Sequence, residues 1–392
     1  MIAVDFAPNE KFNDCLLSLR LLIQPWQWQK GNASGRLKNY LLAYFPKKNI
    51  FFNLTARSAL YNLLWQLGFA KNTEVLIQGY TCEAVVLPVF EAGLKPVYVD
   101  IEKKTYSMAL EDLKNKINPK CRILILQHTY GFTPQYRQEI IKIVRERKLI
   151  LIEDLAHGFN LDFDYSLDYK KHFLLLSFGR SKSISSVFGG VIITSDKILT
   201  EKLQILEKKL ANPSLFFIFR CLFYKPLAWL IKSTYDFGLG KLVHFIEMKV
   251  NLVPREIGLQ EKKGRFNTGL NKVFPNALAV LAIEQLKKFP QVQKQRLNNT
   301  LYYSKNKINL GLSRFPVLVK NKEQLLLQLS RKNIFLGNWY CQPIAPKEFN
   351  LKKAGYQAGS CPQAENICTQ IINLPTNIDV SQAKKIVNLL SL

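Results

Sequence analysis

"FLLLSFGRSKSISSVFGGVIIT", Phe173 to Thr194, holds two apolar runs separated by small residues with a single lysine, Lys182, among them. The runs Phe173 to Leu176 and Gly190 to Ile193 are continuous rather than alternating, so they read as strands buried on both faces. Lys182 therefore stands where the chain has just left a buried strand. Five more runs of the same kind lie upstream: Asn49 to Phe52, Glu74 to Ile77, Pro96 to Val99, Arg122 to Leu126 and Leu149 to Ile152. Helical patterns alternate with several of them, at Ser58 to Leu67, Cys82 to Ala92, Leu110 to Lys116 and Tyr136 to Arg147. Strands buried on both faces and joined by helices imply an α/β fold, a mostly parallel sheet between helical layers. In such sheets ligands gather at the carboxyl ends of the strands.

The chain has 392 residues, 48% of them hydrophobic, enough for a sizeable core and two domains. Residues 1–268 read as a large domain. Residues 269–392 read as a connecting helix, with its pattern at Asn276 to Lys288, followed by a smaller C-terminal α/β domain. The opening stretch, MIAVDFAPNEKFND, has no basic segment followed by an apolar one, so a cytoplasmic protein is expected. Seven scattered cysteines form no CxxC pair and read as reduced thiols. Four histidines, none at metal-ligand spacing, give no reason to expect a metal.

A formal net charge of +26 raises the question of nucleic acid. The lysines are spread rather than striped, and no zinc-finger, RNP-like or helix-turn-helix signature accompanies them, so no nucleic-acid partner is expected. From Thr200 to Gln260 the pattern turns helical, aromatic and basic. Its most apolar part, LFFIFRCLFYKPLAWLI (Leu215 to Ile231), is interrupted by Arg220, Lys225 and Pro226, which makes it a poor membrane span. Two readings stay open for Leu215 to Val253: helices packed on the body or on a partner subunit, and a peripheral helix lying in a membrane interface.

The strand ends carry the chemistry. After Leu149 to Ile152 comes Glu153-Asp154-Leu155-Ala156-His157-Gly158, and after Phe173 to Leu176 come Ser177 and Lys182. After Asn49 to Phe52 come Thr55-Ala56-Arg57-Ser58, opening a helix whose free N–H groups make an anion site. An anion cradle, a carboxylate and a lysine at one sheet edge fit pyridoxal 5'-phosphate. That cofactor needs an amine for its Schiff base, a carboxylate beside its pyridine nitrogen and donors for its phosphate.

Asp154-x-Ala156-His157, then Ser177-Phe178-x-x-x-Lys182 and Gly189-Gly190, resembles the DegT/DnrJ/StrS family of sugar-nucleotide aminotransferases, fold-type I pyridoxal-phosphate enzymes. The resemblance extends through "ARSALYNLLWQLG", "VLIQGYTCEAVVLPVFEAGLKPVYVDIE", "QHTYG", "GLNKVFPNALAVLAIEQLKKF" and "GSCPQAENICTQIINLPTN". It implies that Lys182 carries the cofactor and shuttles a proton, and that Asp154 pairs with the pyridinium nitrogen. Ala156 would pack on the ring and His157 would approach its phenolic oxygen. Ser177, with the N–H groups of Arg57 and Ser58, would hold the phosphate, and Asn271 would reach it across a homodimer interface. The family commonly has glycine where Ala56 stands, a bulky residue where Gly179 stands, and a stacking aromatic where Cys82 stands, a role for which Tyr80 is the alternative.

The resemblance implies transfer of an amino group from an amino acid, L-glutamate, to a nucleotide-linked keto-sugar for surface polysaccharide or related amino sugars. A dehydratase on the same fold tends to carry histidine in place of the lysine, and Lys182 argues against it. The rival from another class is a catalytically altered, cofactor-binding or membrane-attached accessory protein.

Overall fold

The computed structural model describes residues 1–161 and 163–390. All seven apolar runs become strands of one sheet. In chain order they are β1 (Asn49–Asn53), β2 (Glu74–Gln78), β3 (Lys95–Val99), β4 (Cys121–Gln127), β5 (Ile150–Asp154), β6 (His172–Ser177) and β7 (Gly190–Thr194). Their order across the sheet is β1-β7-β6-β5-β4-β2-β3. β7 pairs antiparallel with both neighbours, and the remaining pairs are parallel. Only β7 therefore runs against the other six. Its amino end lies at the edge where theirs finish, with Gly190 opposite both Asn53 and Ser177.

Alternation of side chains along each strand divides the core into layers. Ile50, Phe52, Leu174, Leu176, Val191 and Ile193 point to one face. Phe51, Ile152, Phe173, Leu175 and Ile192 point to the other, where Ala59, Leu60 and Leu63 of helix α1 (Ala56–Leu67) cover them. This helix begins two residues before its apolar pattern because Thr55 caps it, its Oγ1 accepting the Ser58 N–H at 3.1 Å. Gly68, at φ 68°, ends it in the left-handed conformation that glycine adopts without cost.

After β7 come a helix at Lys197–Lys209 and a helical hairpin, α2 (Leu215–Thr234) and α3 (Leu239–Val250). Pro226, inside α2, cannot donate to the Leu222 carbonyl one turn back, and Ser18 Oγ donates to that carbonyl instead, at 2.7 Å. Helix α4 (Asn276–Tyr303) runs beyond the Lys288 expected from its pattern and through Pro290. Contacts beyond the proline hold the added turns. Arg296 bonds Ser183 Oγ and Asn9 Oδ1, and Asn299 Nδ2 donates to the carbonyls of Thr376 and Ile378. The C-terminal segment carries an antiparallel pair, Arg314–Leu318 with Ile371–Pro375, and the strand Ile334–Phe335 pairs with Ile2–Ala3 from the start of the chain.

A Cβ on Gly190 would stand 2.3 Å from Thr55 O and 2.4 Å from Ala56 N, both backbone atoms. Gly190→Ala is therefore expected to force α1 and β7 apart, costing about 1–3 kcal/mol as overpacking does. Thermal unfolding of the two proteins checks this, and an unchanged Tm would show that the helix start can shift freely.

Candidate active site

The edge built by β7's reversal is the floor of a cleft of about 850 Å³, its open mouth included. Lys182 reaches it from the β6–β7 loop. That loop is tied across its neck by Phe178 N to Gly189 O (2.9 Å) and Ser186 N to Phe178 O (3.0 Å), and Lys182 N bonds Gly179 O (3.1 Å). Asn9 bonds the carbonyls of Lys182 and Ser183, and Arg296 bonds both Ser183 and Asn9. The backbone under the lysine is thus clamped from the N-terminal segment and from α4.

The Lys182 amine lies 2.9 Å from His157 Nε2 and 5.0 Å from the centre of the Trp339 ring. Burial pushes its pKa below that of an ordinary lysine. Burial, reinforced by Lys182 and Arg314, holds His157 well below the usual histidine range, which favours a neutral ring that shares one hydrogen bond between Nε2 and the amine. Its Nδ1 is buried without a partner among the described residues.

Two adjacent carboxylates end β5, and the strand's alternation sends them opposite ways. Glu153 faces away from α1 and is closed in by Arg137 (2.7 and 2.8 Å), His128 Nε2 (2.7 Å) and His172 Nε2 (2.8 Å). Burial alone would raise its pKa, but the hydrogen bonds of Arg137, His128 and His172 outweigh burial and hold it well below the carboxylate range. Asp154 faces the cleft with one bond from the Ala156 N–H, at 2.9 Å, and burial raises its pKa. Only Asp154 is open to a ligand.

Of the residues expected from the sequence, Ala56, Arg57, Cys82, Asp154, Ala156, His157, Ser177 and Lys182 all line this cleft. Ser58 and Asn271 do not. The Ser58 N–H is taken by Thr55, and its hydroxyl donates to Leu270 O at 3.0 Å. Asn271 exchanges two bonds with Asn62 of the same chain, at 2.9 and 3.1 Å. The Arg57 guanidinium is also engaged, with Glu261 and the Glu256 carbonyl. Tyr80 is fully buried, its hydroxyl 2.6 Å from that of Tyr130, and does not line the cleft.

The sequence did not point to Gln127, Glu256, Trp339 or Tyr340, which line the cleft as well. Gln127 ends β4 and could have been found by the strand-end rule that found Asp154. Trp339 and Tyr340 come from the C-terminal segment, nearly 160 residues beyond Lys182 in the chain, and no periodicity announces them.

A pyridoxal phosphate fits this donor set. The first N–H groups of α1, on Ala56 and Arg57, precede its first intrahelical bond, from Ala59 to Thr55 O, and can cradle an anion beside Ser177. Gly190 admits that helix start only because it lacks a Cβ. A buried amine and a cleft-facing carboxylate stand deeper in the same cleft.

The model of the DegT/DnrJ/EryC1/StrS aminotransferase family matches residues 13–212 and 248–391. The GDP-perosamine synthase of Escherichia coli O157:H7 is 28% identical over 200 residues, 50% of this chain and 52% of that protein. The chain thus spans about half the length of that relative. The dTDP-4-amino-4,6-dideoxy-D-glucose transaminase of Shigella dysenteriae is 24% identical over 329 residues, 79% of this chain and 76% of that one. The structure of Helicobacter pylori PseC, an aminotransferase of pseudoaminic acid biosynthesis, superposes with a TM-score of 0.73 at 18% identity, covering 99% of this chain and 98% of that one.

Glu153→Gln should leave Arg137 buried without its counter-charge, at a cost of about 3–5 kcal/mol at neutral pH. Because the folded pKa of Glu153 lies below its unfolded value of about 4.5, the stabilisation is complete above that value and fades as pH falls through the folded one. Urea unfolding at neutral and acid pH reads this: the gap between wild type and variant should narrow in acid, and a gap independent of pH would contradict it.

Proposed function

The chain belongs to the DegT/DnrJ/EryC1/StrS aminotransferase family, and from that membership we propose that it moves an amino group from L-glutamate to a keto-sugar carried on a nucleotide. The family works with pyridoxal phosphate. The observation that supports the reading most is the pairing in one cleft of the Lys182 amine, depressed in pKa and bonded to a neutral His157, with the cleft-facing carboxylate of Asp154.

When bound, pyridoxal phosphate supplies a carbonyl that condenses with amines and a ring that accepts electrons. Lys182 provides the amine that holds it. Once free, that amine would be placed to move a proton at the donor's α-carbon. Its lowered pKa keeps a larger neutral fraction at working pH than an exposed lysine would have. His157 holds the amine in place through its Nε2. Asp154, oriented by the Ala156 N–H, would stand beside the cofactor's pyridine nitrogen. Ala56, Arg57 and Ser177 would hold its phosphate, while Trp339 and Tyr340 would wall the cleft against water.

Cys82 occupies the ring-facing position where the family commonly has an aromatic. It is tied to Glu83 at 2.6 Å, and burial raises the Glu83 pKa to about 7. We place a homodimer here, with Asn271 leaving Asn62 to meet the partner's phosphate. The excess of positive charge favours an anionic, diphosphate-linked acceptor.

Absorption spectra with added pyridoxal phosphate test the proposal. Wild type should show a Schiff-base band that glutamate bleaches, and Lys182→Ala should lack it. Asp154→Asn should keep the band but lose about 10²–10⁴-fold in the rate of bleaching, as for removal of a group acting on the reacting atoms. A band that survives Lys182→Ala would overturn the assignment of the lysine. A wild-type band that glutamate leaves unchanged, but another amino acid bleaches, would replace the donor.

A further inference from the structure

The family model skips residues 213–247, which hold α2 and most of α3. This hairpin lies outside the match to the family model, and its two sides differ sharply. Toward the body, Ile218, Cys221, Leu222, Ala228 and Ile231 of α2 are buried. Lys225, which broke the apolar run in the sequence, is fully buried as well, with Glu10 Oε1 at 3.0 Å and Ser185 O at 3.1 Å. Glu10 also accepts from Ser185 Oγ at 2.9 Å. The lysine therefore anchors the hairpin to the body.

The other side has no cover among the described residues. Of α3's residues only Gly240 is buried, where a Cβ would stand 2.3 Å from Ile231 O. Leu242, Phe245, Ile246 and Met248 are 45–62% exposed, Phe237 at the hairpin tip is 88% exposed and Phe216 is 70% exposed. Soluble proteins seldom leave so many large apolar side chains together in water. The cations sit among them: Lys249 lies 4.7 Å from the Phe245 ring, Arg220 5.6 Å from Phe216, and Lys241 5.6 Å from Tyr235. Of the hairpin's two acids, Asp236 is paired with the chain's amino terminus at 2.9 Å, which leaves Glu247 against five cations.

We propose that this hairpin docks on the surface of an anionic lipid bilayer, its exposed apolar side chains in the interface and Arg220, Lys241 and Lys249 at the headgroups. No helix among the described residues is long and apolar enough to cross a membrane, and the arrangement is that of a helix lying in the interface plane. Charge decides against a second copy as the occupant. A two-fold interface sets a patch against itself, which would bring these cations against one another in a desolvated contact. Anionic headgroups meet the same cations with opposite charge while the acyl boundary takes the apolar side chains.

The pocket is close by in the chain. Just past α3, Val253 is buried, Glu256 and Ile257 line the cleft, and the Glu256 carbonyl accepts from Arg57.

Vesicle flotation of the full chain, loaded with pyridoxal phosphate, tests this with phosphatidylcholine vesicles and with vesicles of mixed phosphatidylglycerol and phosphatidylcholine. Wild type should float with the mixed vesicles and stay behind with the neutral ones. Phe237→Ser/Leu242→Ser/Phe245→Ser should lower the floated fraction about tenfold without altering circular dichroism. Lys241→Glu/Lys249→Glu, which keeps the apolar face, should abolish the preference for the anionic vesicles. Failure of wild type to float, or equal flotation of the variants, would overturn the proposal. So would light scattering that shows the serine variant splitting a wild-type assembly while neither protein floats, since a second copy would then be the occupant.

Discussion

The contact between Gly190 and the first residues of α1 sets the position of everything around it. β7 starts against the backbone of Thr55 and Ala56, with no room for a side chain. Because β7 runs opposite to its neighbours, this contact falls at the edge where β1, β5 and β6 end. The helix start that can cradle an anion, the Ser177 hydroxyl and the Lys182 loop are brought together by one reversed strand. A parallel β7 would place its glycine pair at the far edge, about 17 Å away for a five-residue strand, and the loop between β6 and β7 would have to cross the sheet.

The second constraint is electrical. A sheet end that brings Asp154, Glu153, Lys182, His128 and His157 together, with His172 reaching Glu153 from the start of β6, could ionise in several ways, and the fold removes most of them. Glu153 is fixed as a carboxylate by Arg137 and two histidines on one face. On the other face, burial lowers both Lys182 and His157 and raises Asp154. Groups that are structural carry their partners with them, and groups left to act on a ligand have one protein bond each or share one with each other. The division follows from strand periodicity alone, since residues 153 and 154 cannot face the same way.

The strands were legible because each is a continuous apolar run, and continuity is what two-sided burial demands. The reversal of β7 was not, for an antiparallel strand buried on both faces reads the same as a parallel one. At the site, residues next to a strand end were found from the chain itself: Asp154, His157, Ser177 and Lys182 line the cleft with Ala56 and Arg57. Trp339 and Tyr340 were not, because they arrive from a segment whose approach to Lys182 depends on α4 and the C-terminal pairing rather than on local pattern. The turns of α4 beyond Lys288 were missed for a similar reason, since Pro290 follows it. Local propensity ends a helix there, and bonds from Arg296 and Asn299 to distant backbone and side chains carry it on.

Lys225 separates the two uses of positive charge in this protein. In the sequence it stands with Arg220 as an interruption of an apolar run, and the two look alike. Burial sorts them. Lys225 has Glu10 within 3.0 Å and is silent electrically, a pin between the hairpin and the body. Arg220 bonds the carbonyls of Asn251 and Leu252, which closes the hairpin but leaves its charge uncompensated by any carboxylate among the described residues. A carbonyl can satisfy a guanidinium's hydrogen bonds without cancelling its charge. The cations on the hairpin's open side therefore remain a field directed outward, beside apolar side chains that the rest of the chain does not cover.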